Sequence, residues 1–373
     1  MCVASARPSS EADPPTKNYI PQQHHLSVDF VKTTMSADEP QVAMPPLKEA
    51  RGEEGAIVMM DPSEDAQIRL SSLPSPTMQL SGHTGSVYAL EYSPDGSTLC
   101  SASFDKKCLL WNHGDYNNFN VLEGHKNAVL DVAWLDDDTV ATVGADKMVM
   151  LWDALTGQRL RKWNNGHSAI VNSCAKLSEQ TLITASDDGA CCLWDRRQKP
   201  VVATLPSDFP VLAVTGTGTS VWAAGIDPKI TAWDLNMNKR SYAMTGHSDT
   251  ITSLALHPEE THVLSNSMDG CMKMWDIRPF LANKSNKRHV KDFIGHKHNA
   301  ERGLLKCAFS GDAKLVSGGS ADRMVHIWDT FSAQELYLLP GHKGCVNSVV
   351  FHPKENVVAS GSSDKQIYVG ELS

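Results

Sequence analysis

The sequence predicts an all-β chain, a seven-bladed β-propeller with a disordered N-terminal tail. Three observations carry that expectation. Tryptophan returns at a nearly fixed interval: Trp111, Trp152, Trp194, Trp233, Trp275 and Trp328 stand 41, 42, 39, 42 and 53 residues apart. Each follows an Asp by six residues (Asp105, Asp146, Asp188, Asp227, Asp269, Asp322), and Asp364 keeps the same register with Gly370 in the Trp slot. Gly-His opens most of the units, at His83, His125, His167, His247, His296 and His342. One such unit cannot bury both faces of its own sheet, so units of this period stack radially around a shared axis.

Taken in order, residues 1–76 read as a Pro-rich acidic tail. They hold ten of the nineteen prolines and no Trp, and their apolar residues show neither a strand nor a helix period. Too little apolar surface is present to offset the entropy of ordering. From residue 77 to the end each unit repeats one grammar. A short strand leads into Gly-His, and an apolar strand follows, such as Val87–Tyr92. A turn such as Ser93-Pro94-Asp95-Gly96 comes next, its Pro and Gly presetting the dihedrals. A second strand of small residues, Thr98–Ser103 in the first unit, runs into the tight turn that holds the Asp. A third strand ends at Trp, and a polar turn leads to a fourth, outer strand. The last unit supplies only three strands, so residues 77–81 are expected to add the fourth and close the ring. Closure removes the open edge of an unclosed array.

Composition excludes several classes. Net charge is -9, with eleven acidic and six basic residues in the first 76, so no bulk basic field draws nucleic acid. The nine Cys follow no metal or disulfide spacing, which suits small buried residues in a reducing compartment. No apolar run reaches about 18 residues, so no membrane span is expected.

A His, a hydroxyl and an Asp in one unit look like a hydrolase triad, but here the set recurs: His83, Ser101, Asp105; His125, Thr142, Asp146; His167, Thr184, Asp188; His247, Ser265, Asp269. A catalytic site needs one preorganised nucleophile, whereas repetition around a ring points to a buried brace. In that reading Asp accepts from turn amides and orients His, His bridges to the hydroxyl, and the hydroxyl meets the indole N–H of Trp111, Trp152, Trp194 or Trp275. The chain is therefore expected to be non-enzymatic, with no cofactor and no metal.

Irregular units mark candidate contact sites. Unit four replaces Gly-His with Ser207-Asp208-Phe209-Pro210 and has Ala223 in the hydroxyl position. This leaves Phe209 either exposed as a partner anchor or packed into the gap. Unit six has Gly318 in that position, and the 53-residue interval inserts a basic loop over 279–298 with Lys284, Lys287, Arg288, His289 and Lys291. That loop reads as a solvated segment or as a contact for RNA phosphates or an acidic protein. On the Gly-His face the partner-contact candidates are Phe104, Lys126, Asn127, Asp187, Phe209, Asp249, Met268 and Lys343.

The unit pattern over residues 77–373 resembles the WD-repeat (WD40) family. Finer features resemble the branch of that family found in the spliceosomal U5 small nuclear ribonucleoprotein. These are Trp111-Asn112 in place of Trp-Asp, Val211-Leu212-Ala213-Val214 with no Gly-His before it, Ser320-Ala321-Asp322-Arg323, and Gly370-Glu371 where Trp-Asp is expected. The resemblance implies a protein-interaction scaffold in pre-mRNA splicing, nuclear, bound as a single copy to the large U5 scaffold protein near the helicase and GTPase subunits. The long acidic tail departs from the pattern and carries no basic import cluster. Arg197 and Arg278, two residues after the Asp of Trp-Asp, resemble the adaptor-gripping Arg in substrate receptors of cullin-RING ubiquitin ligases, which is the alternative reading.

Overall fold

In a computed structural model of the chain, residues 71–280, 287–299 and 303–372 are described. Expectations for residues 1–70, and for Lys284, lie outside them. Among the described residues, twenty-eight strands form seven antiparallel four-stranded sheets. Blade 1 is built from Val87–Tyr92, Thr98–Ser103, Lys107–Asn112 and Asn118–Glu123, in that order from the axis outward. Blades 2 to 6 begin with the innermost strands Val129–Trp134, Val171–Lys176, Val211–Gly216, Ile251–Leu256 and Cys307–Phe309; these pack side by side in one cycle, and that of blade 7, Val346–Phe351, returns to that of blade 1.

Burial explains the strand compositions. The second strand of each blade is covered on both faces, so Thr139–Gly144 and Val357–Ser362 are buried throughout and made of small and β-branched residues. Outer strands face solvent on one side, and Asn118–Glu123 alternates accordingly. The apolar core lies between the blades. One cluster joins Ala89, Cys100 and Leu110 of blade 1 to Val132, Val140 and Trp152 of blade 2, and comparable clusters join the other neighbours. In six blades a bulge follows the first residue of the innermost strand, as between Val87 and Ala89, and twists the strand where the Gly-His loop enters.

Thr77–Leu80 pairs antiparallel with Ile367–Gly370 as the outer strand of blade 7. It ends one residue short of the expected 81, and the Ser81 hydroxyl instead donates to Gln366 Oε1 at 2.8 Å. Packed structure also starts before residue 77. Leu73 is buried in the cluster shared by blades 7 and 1, and the Ser72 N–H and hydroxyl donate to the Glu355 carboxylate at 3.0 Å. A single apolar side chain within a polar segment carries no period, so the sequence pattern does not signal it.

Candidate interaction surface

The turn between the second and third strands of a blade sets the position of its Asp. The residue after the Asp lies in the left-handed region at Lys106 (φ 74°), Lys147 (67°), Gly189 (77°), Gly270 (78°), Arg323 (73°) and Lys365 (72°). That conformation tightens the turn, so Asp105 accepts from the Lys107 N–H at 3.0 Å while its other oxygen accepts from the Thr84 N–H at 3.0 Å. The carboxylate thereby ties the turn to the Gly-His loop. The glycine of that loop has a packing cause. A Cβ on Gly166 would lie 2.1 Å from the Trp194 ring, which supports the loop from below.

Four blades bring the expected sets together. His83 Nδ1 lies 2.8 Å from Asp105, His83 Nε2 lies 2.8 Å from the Ser101 hydroxyl, and the Trp111 indole N–H donates to that hydroxyl at 2.9 Å. The sets of His125, Thr142, Asp146 and Trp152, of His167, Thr184, Asp188 and Trp194, and of His247, Ser265, Asp269 and Trp275 repeat this with comparable distances. A neutral imidazole satisfies every bond: Nδ1–H donates to the carboxylate and Nε2 accepts the hydroxyl proton. Burial lowers the pKa of His167, His247 and His342, which favours that neutral form. Burial pushes the Asp105 carboxyl up, but donors from His83, Thr84 and Lys107 outweigh it and hold the group down at about 2. Asp146, Asp269 and Asp364 are lowered against their own burial by the same kinds of donor.

A fifth set was not read from the sequence as a unit. His342 Nδ1 lies 3.0 Å from Asp364 and its Nε2 lies 2.9 Å from the Ser360 hydroxyl. With Gly370 in the Trp slot, Tyr368 packs edge-on against the His342 ring at 4.7 Å. The Gly-His to Asp spacing signals this set even without Trp.

Blade 6 is wired differently because Gly318 offers no hydroxyl. Met272 Sδ would lie 2.8 Å from a Cβ there, so the space is filled. His296 therefore turns to Asn266 Oδ1 of blade 5 at 2.8 Å, and the Trp328 indole donates to the Ile294 carbonyl at 3.1 Å. Asp322 is reached by His326, from the third strand, at 3.0 Å. His326 also stacks on Trp328 and pairs with Glu335. In blade 4, Lys229 sits 3.5 Å from Asp227, and Phe209 is 50% exposed, which decides between the two positions left open for it.

The hydroxyls of these sets are closed to substrate. Ser101, Thr142, Thr184 and Ser265 are fully buried, and each already engages two side chains. The axial channel, about 660 Å³, holds Glu91, Asp131 and Lys306, with the last two paired across it. Burial, with Asp131 beside it, raises the Glu91 carboxyl to about 8. Burial also pushes the Cys307 thiol to about 12 and Cys174 well upward, so neither offers a thiolate at neutral pH.

On the Gly-His face Phe104, Lys126, Asn127, Asp249 and Lys343 are exposed, while Asp187 and Met268 are half-buried. Asp187 accepts from the Asn172 amide at 2.7 Å, and burial raises its pKa. The basic loop is less free than expected. Arg288 donates to the carbonyls of Asp276 and Arg278 at 3.0 Å and lies 3.9 Å over the Tyr242 ring. Lys291 donates to the carbonyls of Thr330 and Phe331. Lys287 is exposed. Arg197 and Arg278 each fork back onto the adjacent Asp195 and Asp276, at 2.6 and 2.5 Å, so both guanidiniums have a local structural role.

The family described as WD domain, G-beta repeat matches residues 74–112, 117–153, 157–195, 238–276, 287–329 and 333–369. The three inner strands of the fourth blade, which lacks Gly-His and the hydroxyl, fall outside those segments. The chain is 45% identical over 310 residues to the U5 small nuclear ribonucleoprotein 40 kDa protein of Mus musculus, covering 82% of this chain and 86% of that one. It is 39% identical over 311 residues to the pre-mRNA-splicing factor cwf17 of Schizosaccharomyces pombe, covering 82% and 90%. The Dictyostelium discoideum U5 40 kDa protein is also 39% identical, with 82% and 86% covered.

Proposed function

The chain belongs to the WD40-repeat proteins and, within them, to the family of the U5 small nuclear ribonucleoprotein 40 kDa protein, and from that premise we propose that it is a non-catalytic scaffold of the spliceosomal U5 particle, acting in pre-mRNA splicing. The observation that carries the scaffold part is the repeated brace. Five blades hold the Gly-His loop to the Asp turn through buried imidazoles, so the exposed loops stand on a rigid frame. A surface fixed in advance loses little conformational entropy on binding, which is the economy an assembly platform needs. Its hydroxyls are sealed by the same brace, so the triad-like sets support architecture and not turnover.

The finer parts of the proposal are nuclear residence and direct contacts with the large U5 scaffold protein and its helicase and GTPase neighbours. The exposed Phe104, Lys126, Asn127, Phe209, Asp249 and Lys343, with half-buried Asp187 and Met268, form the contact face in this reading. RNA contact, in this reading, is indirect or made through the 279–298 loop, where Lys287 is exposed and Arg288 braces the backbone. Affinity purification of the tagged chain from nuclear extract tests it. Recovery of U5 RNA with its large proteins is expected, reduced by Phe104→Ala with Phe209→Ala. Recovery of a cullin adaptor without U5 RNA would refute it.

A further inference from the structure

The rim between blades 2 and 3 differs from the rest of the ring. The outermost strand of blade 2, Arg159–Trp163, reads Arg159, Leu160, Arg161, Lys162, Trp163. The outer strands of blades 1, 3, 6 and 7 contain no Lys or Arg. In blade 4 Arg240 is bound to Asp208 and the Pro206 carbonyl while Lys239 is exposed, and in blade 5 Lys291 is bound to two carbonyls of the next blade. A groove of about 840 Å³ runs beside Arg159–Trp163. Arg161 and Lys162 line it from the strand, Lys199 and Val201 from the loop that leads into blade 3's outer strand, and Trp163 and Trp194 complete it. Among the described residues, no carboxylate lines it. Asp195, whose charge Arg161 feels, is already occupied by the Arg197 fork at 3.0 and 2.6 Å.

Two further features describe what fits there. Arg159–Trp163 is an edge strand, with one side of its backbone unpaired within the sheet. Leu160 stands between Arg159 and Arg161 and is 57% exposed, and half-buried Val201 also lines the groove. We propose that this groove docks an extended acidic segment of a partner protein, one in which apolar side chains alternate with Asp or Glu. The segment lies extended along the groove beside this edge, sets its carboxylates on Arg161, Lys162 and Lys199, and covers Leu160 and Val201 with its apolar side chains. Single-stranded RNA fits less well. It gains from stacking bases on exposed aromatic faces, and Trp163 and Trp194 are 3% and 2% exposed.

The inference deepens the scaffold reading by naming a partner class, yet it stands on the groove alone. Peptide binding to the purified chain and recovery of U5 RNA from extract can fail separately. The probes are a fluorescein-labelled peptide of about 12 residues alternating Glu and Leu, and an oligouridylate of equal length, read by anisotropy on the full chain at roughly 50 and 200 mM salt. The peptide is expected to bind and to weaken with salt. Arg161→Glu with Lys162→Glu and Lys199→Glu is expected to weaken it at least about ten-fold. The milder Arg161→Gln with Lys162→Gln serves if the triple variant does not fold, and Lys239→Glu on blade 4 leaves binding unchanged. No peptide binding, equal binding by the charge variants, or tighter binding of the oligouridylate lost in the same variants would overturn the proposal.

Discussion

Replacing Thr142 by Val isolates the contribution of one brace. The two side chains have nearly the same shape, so no cavity opens and the change is confined to a hydroxyl. That hydroxyl is fully buried, accepts the Trp152 indole N–H at 2.8 Å and lies 2.8 Å from His125 Nε2. Its loss leaves a donor and an acceptor without partners in a site closed to water. An unpaired buried polar group costs about 1–3 kcal/mol, so the pair is expected to cost about 2–5 kcal/mol. Unfolding entropy near 2.1 cal/mol/K per residue over about 300 residues converts this to a fall of roughly 3–8 °C in melting temperature. Calorimetry and urea titration followed by Trp fluorescence measure it. A double-mutant cycle with Trp152→Phe, which removes the indole N–H, should return a coupling of about 1 kcal/mol or more. A Thr142→Val cost below about 0.5 kcal/mol, or a coupling near zero, would refute the argument that the brace holds the loop.

Other expectations follow from the same geometry. Gly318→Ser, which restores the usual hydroxyl of the repeat, should destabilise by about 1–3 kcal/mol, because Met272 and Trp328 occupy the space; a gain in melting temperature contradicts this. A chain beginning at residue 82 should melt well below one beginning at residue 71, since it loses the pairing with Ile367–Gly370 and the burial of Leu73 and Leu80; equal melting refutes the closure scheme. Acid should destabilise the ring in two stages. His296 is lowered by burial to about 4, so the unfolded chain takes up its proton first, near pH 6.5, and the stability present above that pH is lost as pH falls toward 4, by up to about 3 kcal/mol. Below about pH 4 the lowered Asp105 adds a second loss as pH falls through about 2; a melting temperature flat from pH 8 to 4.5 would contradict the first stage.

Much of the fold was legible because its periods are physical necessities. Trp at the end of the third strand fills the space between blades, and Gly in Gly-His lets the loop lie on that ring, so both recur wherever the blade recurs. The four complete sets were legible for the same reason. What was not legible depended on pairs distant in sequence. Nothing near Gly318 announces that Met272 fills its space, that His296 will turn to Asn266, or that His326 will take Asp322. Nor does a run of Lys and Arg reveal which cations are spoken for. The loop at 279–298 looked like the basic surface, but Arg288 and Lys291 bind main-chain carbonyls.

That distinction between present and available charge governs where the ring can recognise anything. A cation already bound to a carbonyl or a neighbouring carboxylate must give up that bond to meet a partner, so its net contribution shrinks toward zero. Arg197, Arg278 and Arg288 are of this kind. Arg161, Lys162 and Lys199 line a groove with no carboxylate and are not. The braces repeat one set of contacts in five blades, so they cannot by themselves distinguish one partner from another. In the proposed reading, discrimination falls to what the repeat does not dictate, namely the exposed Phe209 where Gly-His is missing and the cations that line the groove beside Arg159–Trp163.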